Sequence, residues 1–276
     1  IFFMKNIAFG QYYPAVSVIH RMDPRAKLIG AVLYIVCTFL CTNALCFAVL
    51  VLSAVVLTLL SKIPLRLLLR TLRPLIFILT FTSLINIFFT KGEHLLTPEN
   101  WVVKIYLEGI WNALFMILRI TILLAATGIF LSFTTTPIAL TDALEQLFSP
   151  LKKIRVPVHE VAMMTSIALR FIPLLTEETE KIMNAQKARG ADFQSGGLIK
   201  RAKALLPVFI PLLSSAMKRA DELANAMDCR CYHGGEGRTR LKVLHFRASD
   251  VAAMVLVVAF GVGIFFLNRL GIGYTM

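Results

Sequence analysis

Two stretches of this chain, residues 29–60 and 251–267, are almost unbroken apolar sequence. Neither can form a water-facing surface. In lipid, every backbone amide must find its partner within the segment or a closed sheet, so runs of this kind become helices. Such runs fill the first half of the chain, and one more closes it. Between them lie residues 141–247, which are charged, amphipathic and helical in pattern. The membrane part is thus interrupted by a large water-facing helical unit.

The bulk numbers agree. The chain is 57% hydrophobic and 16% charged, against roughly 25% charged in soluble domains. Residues 29–60 would make a helix of about 48 Å at about 1.5 Å per residue, too long for one upright crossing. Cys41-Thr42-Asn43 breaks the run, giving crossings near 25–41 and 44–61. Further crossings are expected at 74–90, 109–133 and 250–267. The fold class is therefore an all-α polytopic membrane protein with about five transmembrane helices and long cytoplasmic helices. The expected organisation is an interfacial segment (1–24), a membrane domain of about four crossings (25–140), a cytoplasmic coupling domain (141–247), and a last crossing with an outer tail (248–276). Tyr12, Tyr13, Pro14, His20 and Arg21 precede the first long run, which argues against a cleavable leader.

Charge sets the expected orientation. Residues 1–73 hold eight Lys/Arg against Asp23 alone. Residues 141–247 hold 17 Lys/Arg against 11 Asp/Glu, while residues 91–108 have a net charge of −1. By the positive-inside rule, the N-terminus and the central unit face the cytoplasm and the C-terminus faces out. The overall charge of +13 is accounted for by membrane lipid, since the basic residues flank the apolar runs. Nucleic acid is not expected as a partner. Arginines alternate with Asp221, Glu222 and Asp228, and no ladder of stacking aromatics accompanies them.

Catalytic signatures are missing. The sequence contains no GxxxxGK[ST], no HExxH and no serine elbow. Cys229-x-Cys231-x-His233 is too cramped for a tetrahedral metal site and lacks a second ligand pair nearby. Glu177, Glu178 and Glu180 beside Lys181 and Lys187 read as a solvated helix face with i,i+4 partners. Arg119, inside an apolar run, is either functional or held by a protein-facing partner. No enzyme activity, cofactor or metal is expected on this chain.

Two tripeptides stand out. Ala188-Arg189-Gly190 ends a long amphipathic helix predicted over 158–188. Cys229-Arg230-Cys231 lies near the end of a second, predicted from 198 to about 232 and stopped at His233-Gly234-Gly235. Small neighbours let a partner surface come close, and a guanidinium can then grip a carboxylate as a two-pronged fork. Val161, Met164, Ala168, Phe171 and Leu175 form an apolar stripe on the first of these helices, expected to contact another subunit. Met163, Met183, Met217 and Met227 add adaptable surface.

Several segments resemble one family over nearly the whole chain. They are Met22-Asp23-Pro24-Arg25-Ala26-Lys27-Leu28, Ile63-Pro64-Leu65 through Leu72-Arg73-Pro74, and Ile167-Ala168-Leu169-Arg170-Phe171-Ile172-Pro173. The most specific is Ala185-Gln186-Lys187-Ala188-Arg189-Gly190-Ala191-Asp192, and Arg219-Ala220-Asp221-Glu222-Leu223-Ala224 leads to Cys229-Arg230-Cys231. Together they resemble the transmembrane T component of energy-coupling factor transporters, the bacterial vitamin importers. The family usually has Ala-Arg-Gly at the second tripeptide, where this chain has Cys-Arg-Cys. The resemblance implies a non-catalytic scaffold in the bacterial cell membrane, between two ABC ATPase subunits, expected as a heterodimer, and one substrate-binding S component. ATP and Mg would sit on the ATPases. Arg189 and Arg230 would each enter a groove on one ATPase, and the stripe would face the S component. The alternatives are a stand-alone secondary transporter and a membrane scaffold without ATP coupling.

Overall fold

The computed structural model describes residues 12–90, 106–193, 197–235 and 246–269. The first eleven residues of the lead-in, residues 91–105 of the expected outer loop with Trp101, Gly196, and the tail from residue 270 lie outside them. Every regular element among the described residues is helical. The chain divides into two compact units, residues 1–143 with 243–276, and residues 144–242.

The first unit starts with a one-turn helix, α1 (Val18–Arg21), and then α2 (Pro24–Leu40). Asp23 caps α2 by accepting the Arg25 N–H at 2.9 Å, and Pro24 sits in the first turn, where no amide bond is lost. α3 (Ala44–Ser61) follows the break at Cys41-Thr42-Asn43. Lys62 ends it in the left-handed region, at φ 55°. The amphipathic α4 (Leu65–Leu72) runs through a 3-10 turn (Arg73–Leu75) into α5 (Ile76–Phe89). α6 (Leu107–Thr127) passes into a π-helical turn over Gly128–Phe133. α7 (Pro137–Leu147) carries the chain across the boundary between units, and α10 (Ala248–Arg269) brings it back.

α6 is the centre of this unit, packing on α2, α3 and α5, and α10 packs on α2. Gly261 makes the α2–α10 approach close: a Cβ there would stand 2.8 Å from Cys37 Sγ. The core gathers Tyr34, Phe47, Leu50, Phe115, Ile122 and Phe130. Phe47 and Phe115 stack at 4.8 Å.

The break between α2 and α3 explains the polar residues in this apolar unit. A helix that ends inside low-dielectric surroundings leaves carbonyls without partners. Arg119 on α6 donates through Nη2 to the Cys41 carbonyl at 2.7 Å and lies over the Phe47 ring at 5.2 Å. Asn268 on α10 donates to the Leu40 carbonyl and accepts from Thr42 Oγ1 at 2.8 Å. Asn43, fully buried, donates to the Asn268 carbonyl at 3.3 Å. Of the two readings open for Arg119, the structural one fits: it staples a helix break.

Among the described residues, five helices are long and apolar enough to cross a membrane: Ala44–Ser61, Leu65–Phe89, Leu107–Phe133, Val158–Ala188 and Ala248–Arg269. Four coincide with expected crossings. α2, with 17 residues, sits at the short end of the spanning range of roughly 17–25. The fifth belongs to the second unit, in a segment expected to face water. Of its seven charges, Glu160 lies in the first turn, and Arg170, Glu177, Glu178, Glu180, Lys181 and Lys187 lie in its C-terminal two thirds.

The second unit is a helix pair. A 3-10 turn (Ser149–Ile154) leads into α8 (Val158–Ala188), and α9 (Leu198–Asp228) follows; each has 31 residues. The predicted bounds of α8 match. α9 ends earlier than residue 232, and its stop is not the glycine pair at 234–235.

Candidate functional site

α8 and α9 run antiparallel, and their side chains pair in register. Gln186 Nε2 donates to the Pro207 carbonyl at 3.4 Å. Ser215 Oγ donates to Glu178 Oε1 at 2.9 Å, and Arg219 Nη2 donates to Glu178 Oε2 at 2.6 Å. Met163 and Met227 line one cavity near the start of α8 and the end of α9. Glu178 is therefore not merely a solvated residue with partners on its own helix, as its spacing implied. It is half-buried and ties one helix to the other. An i,i+4 pattern on one helix carries no information about a partner 41 residues away.

This pairing puts Arg189 and Arg230 at opposite ends of the pair, and both helix ends are built alike. Arg189 follows the last helical residue. Gly190, at φ 87°, then turns left-handed. The Gly190 N–H donates to the Lys187 carbonyl at 2.9 Å and the Ala191 N–H to Gln186 at 3.0 Å. At the other end Cys231, at φ 55°, takes the role of Gly190. Its N–H donates to Asp228 at 2.9 Å, and the Tyr232 N–H donates to Met227 at 3.1 Å. Both sets are Schellman caps, with the arginine one position before the left-handed residue. Ala-Arg-Gly and Cys-Arg-Cys are thus the same local structure, and the departure at the second tripeptide leaves the geometry unchanged.

The cap explains how each arginine is presented. The chain reverses right after it, so the side chain leaves the helix at a corner with small residues on both sides. Ala188, Arg189 and Gly190 are exposed, as are Cys229, Arg230 and Cys231. Among the described residues neither guanidinium has an ion-pair or hydrogen-bond partner. Arg230 also lines a cavity of about 420 Å³ with Met163, Met227, Tyr232 and His233. An exposed cation at such a corner is free to grip a carboxylate on another surface.

The predicted stripe on α8 is open along its first part. Val161, Met164 and Ala168 are exposed, while Phe171 and Leu175 are half-buried. The buried side of α8 starts with Val158 and Ala162. α9 carries a second stripe absent from the sequence reading: Leu206, Ile210, Leu213 and Met217 are all exposed. Their spacing of four, three and four would have revealed it. Gly235 packs against His159, whose Nδ1 lies 2.8 Å from Glu145 Oε1. No group of three metal-ligating side chains occurs among the described residues.

The opening segment around Asp23 also has a structural meaning. Lys27, buried, donates through Nζ to the Thr134 carbonyl at 2.8 Å and to the His20 carbonyl at 3.3 Å. Buried Asp250 accepts the Asp23 N–H at 3.2 Å and the Arg247 N–H at 2.9 Å. Arg25 lies 3.1 Å from the Asp23 carboxylate and stacks over Phe246 at 4.3 Å. One polar knot in the first unit therefore holds the start of α2 together with the points where the chain leaves that unit and returns to it.

Comparison with known proteins places these features. A family model described as CbiQ, cobalt transport protein, matches residues 15–241. The energy-coupling factor transporter transmembrane protein EcfT of Ruminiclostridium cellulolyticum is 48% identical over 258 residues, covering 93% of this chain and 95% of its own length. The protein of that name from Bacillus subtilis is 43% identical over 265 residues, covering 96% and 99%. That from Lactococcus lactis is 44% identical over 255 residues, covering 92% and 95%. This chain, an all-α membrane protein, belongs to the CbiQ/EcfT family of energy-coupling factor transporter transmembrane proteins.

Proposed function

We propose that this chain is the non-catalytic scaffold and coupling subunit of an ATP-driven importer, joining two ABC ATPase subunits to one substrate-binding membrane subunit. ATP and Mg would be bound by the ATPases, and the substrate, a vitamin or related micronutrient, by the third partner. The matching family's description names cobalt, while the names of the relatives carry no substrate. In this reading the choice of substrate rests with the substrate-binding subunit. α2 is the first crossing, and α8 and α9 lie on the cytoplasmic side with the N-terminus, leaving the C-terminus outside.

The observation that carries the reading is the pair of equivalent caps. Two exposed arginines, without side-chain partners among the described residues, stand at opposite ends of one stiff helix pair, one for each ATPase. Each 31-residue helix spans about 46 Å. When ATP draws the two ATPases together, the helix ends move with them. The apolar stripes, Val161, Met164, Ala168, Phe171 and Leu175 on α8 among them, then shift against the substrate-binding subunit. A stand-alone transporter would instead need polar groups lining a midplane site. Arg119, the charged residue inside the α6 apolar run, is committed to the α2–α3 break.

Pull-down of the ATPase subunits from detergent tests the reading. Arg189→Glu sets like charges against each other in the groove, and breaking a desolvated pair of this type costs about 2–5 kcal/mol. Capture falls sharply if Arg189 is an anchor. Capture at wild-type strength and salt dependence removes it from that role.

A further inference from the structure

α4 is held by little of its surface. Leu68 is buried with Ile63 against Ile19, Ile129 and Phe133, while Leu65, Arg66, Leu69 and Arg70 are exposed. A cavity lies on each side of it. One, of about 750 Å³, is walled by α3 (Val55, Thr58, Leu59), α4 (Leu68, Leu69) and α6 (Ile122). Lys62 is the one charged residue lining it among those described. The other, of about 760 Å³, is lined by Arg66, Arg70 and Arg73 together with Ile76 and Leu79. The two share Leu69, Leu72 and Thr121 as a common wall. An apolar slot thus adjoins a shelf of three guanidinium groups.

Residues 62–73 contain no acidic residue. Among the described residues, the side-chain cations of Lys62, Arg66, Arg70 and Arg73 have no ion-pair or hydrogen-bond partner. Both cavities belong to the membrane unit, where an apolar slot is filled by hydrocarbon rather than water. Guanidinium groups grip phosphate oxygens as a fork. A free anion would leave the slot unused, and a zwitterionic headgroup would bring its own cation beside four others.

We propose that the two cavities flanking α4 form one binding site for an anionic phospholipid. Acyl chain lies in the slot between α3, α4 and α6, and the phosphate sits among Arg66, Arg70 and Arg73, with Lys62 at the slot. This is a discrete, saturable site, distinct from the general attraction of basic residues to a charged bilayer. It depends neither on the ATPases nor on which side of the membrane α4 faces.

Native mass spectrometry of the full-length chain, delipidated in detergent and titrated with dioleoyl phosphatidylglycerol or dioleoyl phosphatidylcholine, tests it. One phosphatidylglycerol should bind saturably, with a preference of about tenfold or more over phosphatidylcholine. Arg66→Gln with Arg70→Gln and Arg73→Gln should abolish the preference, and Arg70→Gln alone should reduce it if the triple variant does not fold. Thr58→Trp, which fills the slot, should weaken both lipids. Equal binding of the two lipids, a preference untouched by Arg70→Gln, or displacement of phosphatidylglycerol by inorganic phosphate would overturn the proposal. So would loss of the bound lipid when the chain is in the complete complex, which would assign the surface to a protein partner.

Discussion

Gly190 and Cys231 hold the same left-handed backbone position in two equivalent caps, but only glycine does so without a Cβ clash. Cys231→Gly should therefore stabilise the end of α9 by about 1 kcal/mol, and Gly190→Ala should cost a similar amount at the end of α8. Thermal unfolding in detergent reads both, as opposite shifts in Tm. ATPase capture should survive Cys231→Gly, because the arginine keeps its place before the turn. Arg119 offers a separate test. Arg119→Met leaves the Cys41 carbonyl without its donor, at a cost of about 1–3 kcal/mol. Lower Tm with unchanged capture of the ATPases is expected; loss of uptake at unchanged Tm would make Arg119 functional instead. The first tripeptide was legible because Gly190 marks a helix end in the sequence. The equivalence of the second was not, because a cysteine in a left-handed turn leaves no sequence signal.

Between elements, α8 and α9 depend on the tie from Glu178 to Arg219 and Ser215. Its side chains are about a third and a quarter exposed, so solvent screens the tie and its contribution is small. A double-mutant cycle of Glu178→Ala and Arg219→Ala should show a small coupling, and additive effects would mean no tie. In the proposed arrangement, which puts both helices outside the bilayer, the Arg219 guanidinium and then the Ser215 hydroxyl hold the Glu178 carboxyl below the usual carboxylate range. A lowered pKa keeps this contribution intact above that range and loses it as pH falls through the lowered value. The open stripe makes a different demand. Met164→Asp or Phe171→Asp should disrupt assembly with the substrate-binding subunit by burying an unpaired charge. Glu177→Gln, on the exposed side, should not. Intact assembly in both Asp variants would move the interface to another face of α8. The bounds of α8 followed from its apolar period and from Gly190. The π-helical turn at Gly128–Phe133 and the 3-10 turn at Arg73–Leu75 did not, because a change of hydrogen-bond register has no compositional mark.

For the whole molecule, hydrophobic runs and charge bias were enough to predict the helical membrane class, since the bilayer admits so few backbone solutions. The knot of Asp23, Lys27 and Asp250 was beyond reach, because its members lie up to 227 residues apart. It ties the start of α2 to the Thr134 carbonyl before α7 and to the start of α10. The central claim is that the capped arginines pass ATPase movement to transport. The direct measurement is ATP-driven substrate uptake by the complete complex in proteoliposomes, comparing wild type, Arg189→Ala, Arg230→Ala and the double variant. Expression and monodispersity are checked in parallel, and ligand binding is measured on the isolated substrate-binding subunit. Uptake should fall in each single variant and disappear in the double, while that subunit still binds its ligand. Uptake near the wild-type rate in a well-folded double variant would contradict the account.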